Sequence, residues 1–126
     1  MIVFKRVTKI YPGGTAALKR VSLHINPGEF VSIVGQSGTG KTTLTKLITA
    51  ELSPTEGSVI VGGWDITRIT RNEIPHLRRQ IGMVFQDFKL LPKKTSAENV
   101  AFALEVSGAS RDRIEKIVPQ VLKIVG

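Results

Sequence analysis

The stretch Gly35-Gln36-Ser37-Gly38-Thr39-Gly40-Lys41-Thr42-Thr43 directly follows the apolar run Phe30-Val31-Ser32-Ile33-Val34 and leads into a helical stripe, Leu44, Leu47, Ile48 and Leu52. Strand, glycine-rich loop and helix in that order confine the chain to architectures in which a loop closes over phosphate. Each fixed position has its own physical reason. Gly35 and Gly40 permit close backbone approach and positive φ. Successive N–H groups of Gly35, Gln36, Ser37, Gly38 and Thr39 then point into one concavity, and the positive end of the following helix dipole adds to the attraction for an anion. Lys41 reaches the outer phosphates, the Thr42 hydroxyl takes one position on Mg²⁺, and Thr43 starts the helix. A glycine-rich turn without a ligand is the plainer alternative, and the legible strand before and helix after weigh against it.

The remaining chain is read around that loop. Strands are expected at Ile2 to Val7, Leu18 to Ile25, Phe30 to Val34, Ser58 to Val61 and Ile81 to Phe85. Helices are expected at Thr42 to Leu52, Glu73 to Arg79, Ser96 to Val106 and Arg111 to Val125, the last kinked or restarted at Pro119. The turns Asn26-Pro27-Gly28 and Gly62-Gly63 suit antiparallel strands in the first half, whereas later strands alternate with helices in the α/β manner. With 126 residues the chain has the size of one domain. It has no cysteine, which excludes disulfides and thiolate metal sites. No run approaches the roughly 18 consecutive apolar residues of a membrane span, and no signal-peptide pattern opens the chain, so a soluble protein is expected.

The formal net charge of +8 raises the question of nucleic acid or an anionic surface. The excess includes Arg68, Arg71, Arg78 and Arg79 and is not interleaved with aromatics as a single-strand-binding face requires. Solvated faces explain it more simply, and no specific nucleic acid is expected. His24 and His76 lack metal-ligand spacing and are assigned to structure. Two further residues invite functional readings. Tyr11, the only tyrosine, precedes the turn Pro12-Gly13-Gly14 and could stack on a purine or simply pack half-buried. Gln86 ends the expected strand Ile81 to Phe85 and could project its amide towards Mg²⁺ or an attacking water, or merely terminate the strand.

Together these residues resemble the nucleotide-binding domain of ABC-type ATPases. Tyr11 matches the family's adenine-stacking loop, Gly35 to Thr43 its phosphate loop, and Val84-Phe85-Gln86-Asp87 its glutamine loop. The resemblance implies a P-loop NTPase core of the ABC ATPase kind, with an N-terminal antiparallel β subdomain. Residues 1–126 would form the N-terminal part of one such domain, ending in the start of the helical subdomain. It further implies ATP and Mg²⁺ as cofactors, nucleotide binding by Tyr11 and Gly35 to Thr43, and metal contacts from Thr42 and Gln86.

Within the family, Asp65-Ile66-Thr67, the run Ile74-Pro75-His76-Leu77-Arg78-Arg79-Gln80-Ile81-Gly82-Met83-Val84-Phe85-Gln86-Asp87 and Leu90-Leu91-Pro92 look most like the bacterial cell-division branch. Lipoprotein-export and macrolide-export ATPases share much of the Arg-Arg-x-Ile-Gly-x-Val-Phe-Gln stretch. The cell-division resemblance implies a cytoplasmic ATPase, peripheral at the inner face of the plasma membrane and acting as a pair. It would act on an FtsX-like membrane partner that regulates peptidoglycan hydrolysis. Phe88, Leu90 and Leu91 would lie where relatives receive that partner, with a core role as the alternative. The sequence departs from the family pattern in lacking the Leu-Ser-Gly-Gly-Gln signature, a second apolar strand ending in Asp-Glu (the Walker B strand), and a switch histidine. Truncated in this way, the chain is expected to bind ATP without hydrolysing it, and to self-associate through uncovered apolar surface. A P-loop phosphotransferase and a basic nucleic-acid module are the readings of other classes.

Overall fold

The computed structural model describes residues 1–126, which fall into two compact units, Met1–Ile81 and Gly82–Gly126. In the first unit, β1 (Ile2–Ile10), β2 (Ala16–Ile25), β3 (Glu56–Val61) and β4 (Trp64–Asp65) form one sheet in the order β2-β1-β3-β4. Every pairing is antiparallel. The β1–β2 turn is closed by two hydrogen bonds, Tyr11 N–H to the Thr15 carbonyl (2.9 Å) and Gly14 N–H to the Tyr11 carbonyl (3.0 Å).

The ladder between β1 and β2 is interrupted by register shifts, and hydroxyl side chains fill the gaps. Arg6 donates its N–H to Ser22 Oγ (3.1 Å), and Arg20 donates to Thr8 Oγ1 (3.2 Å). Both arginines take positive φ, 47° and 50°. Such bulges sharpen the local twist of the strand pair.

Helix α1 (Lys41–Ile48) sets Leu47 into the buried cluster of Phe4, Val7, Leu18, Val59, Val61, Ile66 and Leu77. It ends earlier than its apolar stripe suggests. Ala50 turns left-handed (φ 52°), and the N–H groups of Glu51 and Leu52 fold back onto the Lys46 carbonyl. Arg78, on the short helix α2 (Ile74–Arg78), completes that end by donating to the carbonyls of Thr49 (2.9 Å) and Ala50 (3.4 Å). One member of the arginine-rich run is therefore a helix cap.

The second unit is built on α3 (Ser96–Ser107) and α4 (Arg111–Val125). Thr95 opens α3 with a reciprocal cap, its hydroxyl accepting from Glu98 N–H and the Glu98 carboxylate accepting from Thr95 N–H. Asn99 ties the preceding loop to α3, accepting from Leu91 N–H and donating to the Leu91, Lys94 and Thr95 carbonyls. No helix is long and apolar enough to cross a membrane.

Two expected strands are not strands here. Phe30 to Val34 and Ile81 to Phe85 join no ladder, and Phe30, Val34 and Val84 are almost fully exposed. An apolar run meant for a parallel sheet needs a hydrogen-bonded neighbour and cover on both faces, and this chain supplies neither. The α/β alternation expected for the second half is consequently not realised as a parallel sheet. Helix α4 does not restart at Pro119 but runs through it. Pro119 and Glu115 are both exposed, so water can take up the carbonyl that proline leaves without a donor.

Candidate nucleotide site

The phosphate loop lies between an exposed segment and a buried helix start. Residues 35–39 face solvent, whereas Gly40 and Thr43 are buried. Gly40 caps α1 in the left-handed region, φ 89°, and offers no side-chain cap. A Cβ on Gly40 would stand 2.5 Å from the Ala17 carbonyl and 2.9 Å from Leu18 Cδ2. Only glycine allows the loop to rest so closely on β2. Gly38 is likewise left-handed, φ 82°, but with open space around it. At Gly35 a Cβ would stand 2.8 Å from Thr39 Oγ1.

Inside the loop, Thr39 donates its hydroxyl to the Gln36 carbonyl (2.7 Å). Lys41 reaches back across the turn, its Nζ donating to the carbonyls of Gly35 and Gln36, each at 2.6 Å. The first hydrogen bond of α1 runs from Leu44 N–H to the Gly40 carbonyl, so the N–H groups of Lys41, Thr42 and Thr43 have no helical acceptor. The first turn carries no acidic residue. Free donors, a positive helix end and a flexible ammonium in one place fit a phosphate group. Thr42 is exposed beside them, a hydroxyl suited to a hard cation such as Mg²⁺.

Tyr11 is brought to the same helix. Its phenol shares a hydrogen bond with Thr43 Oγ1 at 3.2 Å, and Lys9 Nζ lies 5.9 Å from the ring centroid. Loop and tyrosine thus converge on α1, although Tyr11 and its partner Thr43 are 32 residues apart in the chain. Sequence reasoning missed what supports them: the Ala17 and Leu18 backing of Gly40, and the clasp of β1 by the segment before β3. In that clasp Lys9 Nζ donates to the Ser53 carbonyl (2.8 Å), Ile10 N–H to Thr55 Oγ1 (3.0 Å) and Thr55 N–H to the Thr8 carbonyl (2.9 Å). The two-residue spacing of Lys9 and Tyr11 was the one available signal for part of it.

Gln86 belongs to the second unit and is exposed. Next to it, the hydrogen bond from Lys89 holds the Asp87 carboxyl below its ordinary range, with the pair 2.6 Å apart. Phe88 and Leu90 are exposed and Leu91 half-buried, so the core alternative does not describe the first two. A separate concavity of about 340 Å³ in the first unit lies among Lys5, Arg6, Arg20 and Gly57, and none of its lining comes from the loop.

Comparison with known proteins bears on this geometry. The ABC transporter family model matches residues 18–124. The cell division ATP-binding protein FtsE of Bacillus subtilis (strain 168) is 53% identical over 125 residues, 99% of this chain and 55% of that protein. FtsE of Escherichia coli (strain K12) is 48% identical over 126 residues, 100% of this chain and 57% of that protein. Among solved structures, the dimeric post-hydrolysis state of the ATP-binding cassette MJ0796 bound to ADP and Pi superimposes with a TM-score of 0.87 at 39% identity. That match covers 98% of this chain and 56% of the other. The chain therefore spans about half the length of the relatives it matches.

Proposed function

Because the chain belongs to the ABC transporter family, we propose that it is the ATP-binding stretch of an ATPase subunit similar to FtsE, both of its units being parts of one nucleotide-binding domain. The observation that carries this reading is the phosphate loop seated on β2 through Gly40, with Lys41 folded onto its carbonyls. In it, Gly35, Gln36, Ser37, Gly38, Thr39 and Gly40 surround the phosphates with backbone N–H groups, and Lys41 exchanges its carbonyl partners for phosphate oxygens. Thr43 contributes from the first turn of α1, and Tyr11 stacks on the adenine. Thr42 would supply a hydroxyl to Mg²⁺, which would neutralise phosphate charge, and a metal contact is assigned to Gln86 on the family resemblance.

In this reading the full-length protein is a cytoplasmic ATPase, held at the inner face of the plasma membrane by an FtsX-like partner and working with a second copy of itself. ATP binding and hydrolysis there regulate peptidoglycan hydrolysis in cell division. Phe88, Leu90 and Leu91 are assigned to the partner contact, for which the exposure of Phe88 and Leu90 is the support. Residues 1–126 bind ATP without turning it over, since the signature motif and the Asp-Glu strand are not among them.

Calorimetric titration with Mg-ATP tests the reading. Lys41→Ala removes charge-assisted hydrogen bonds worth about 1.5–3 kcal/mol and should weaken binding at least about ten-fold. Tyr11→Ala should weaken it by a comparable factor, with base–aromatic stacking worth about 1–3 kcal/mol. A phosphate-release assay alongside should stay at background. Binding that neither substitution changes would overturn the assignment of the site.

A further inference from the structure

The Tyr11 ring is held from two directions. Its hydroxyl meets Thr43 Oγ1 on α1 at 3.2 Å, and the Lys9 ammonium lies over the ring, 5.9 Å from its centroid. Lys9 is itself fixed, because the same Nζ donates to the Ser53 carbonyl at 2.8 Å. That carbonyl lies in the segment joining α1 to β3, where Thr55 also engages Thr8 and Ile10 of β1. The ammonium is therefore more than a mobile surface charge passing over a ring. It bridges the chain after the phosphate-loop helix to the face of the one tyrosine.

An aromatic ring with a cation over one face offers the opposite face to a planar ligand, and the cation's attraction to the ring holds that face in orientation. We infer that Lys9 is a positioning residue that presents Tyr11 to the nucleobase, acting through the ring and touching neither base nor phosphate. This rests on the reading of Tyr11 as the base-stacking residue. The polyphosphate does not enter the interaction, so its effect belongs to the base alone.

The test compares Mg-ATP with inorganic tripolyphosphate, by calorimetry, on the wild type and on Lys9→Met, Lys9→Arg and Tyr11→Ala. Methionine keeps the length and apolar stem and removes the charge. The ratio of ATP to tripolyphosphate affinity should fall about two- to five-fold in Lys9→Met, the factor expected of an exposed cation–π contact, and return in Lys9→Arg. An unchanged ratio in Lys9→Met, with a reduced one in Tyr11→Ala, overturns the role of Lys9 alone. An unchanged ratio in Tyr11→Ala overturns the base-stacking reading, and the role of Lys9 with it. A second readout needs no nucleotide. Tyr11 is the only tyrosine, so its aromatic NMR signal is unambiguous; it should shift in Lys9→Met and recover in Lys9→Arg. A ring signal indifferent to Lys9→Met overturns the contact itself.

Discussion

At the scale of single residues, Gly38 and Gly40 separate two demands that a glycine can answer. Both are left-handed, but only Gly40 faces a neighbour, the Ala17 carbonyl at 2.5 Å from its would-be Cβ. Gly38→Ala should carry backbone strain only, about 1 kcal/mol, whereas Gly40→Ala adds a clash with main chain and should cost about 2–3 kcal/mol or more. Chemical unfolding followed by the single tryptophan, Trp64, would measure both; equal losses would show that β2 does not back the loop. The glycine pattern was legible in the sequence because its spacing encodes loop geometry. Its backing was not, since Ala17 contributes a carbonyl oxygen, which any residue carries. Tyr11 was legible as an isolated aromatic beside a turn, but its hydroxyl partner, Thr43, depends on tertiary structure.

At the scale of elements, α3 shows how a local motif fixes a boundary. The hydrogen bond from Thr95 N–H leads the causes that lower the Glu98 carboxyl from 4.5 to about 2, with Lys94 assisting at 3.0 Å. A lowered folded value means that this contribution to α3 is complete above pH 4.5 and fades as pH falls from there towards 2. The Thr95 amide NMR shift should titrate with a midpoint near 2, and Thr95→Ala, which keeps the N–H donor and removes only the hydroxyl, should raise the Glu98 midpoint only part of the way towards 4.5. A wild-type midpoint already at 4.5 would mean that the cap does not form. Strands β1, β2 and β3 and all four helices were readable because their signals are local, in alternation, caps and turn residues, whereas the two-residue β4 was not expected. Phe30 to Val34 and Ile81 to Phe85 read as strands and are not, because a parallel strand is defined by neighbours that the segment itself does not contain. The early end of α1 was hidden for a similar reason, since Arg78 caps it from 29 residues away.

For the whole molecule, those two unpaired segments are the main liability. Phe30, Val34, Val84 and Phe88 are largely exposed, and so are Ile124 and Val125 at the end of α4. Uncovered apolar surface with free backbone donors and acceptors favours association. Light scattering at tens of micromolar should therefore give a mass above one chain, and a strictly monomeric mass would count against it. The β1–β2 pair has a different consequence. One strand delivers Tyr11 at its end, and the other backs Gly40 through Ala17, so a single hairpin sets the span between the ring and the phosphate loop. It works as a caliper with a fixed opening. A ligand is gauged by its length as well as by its two ends, and a slip of one residue in the hairpin would misalign both jaws at once.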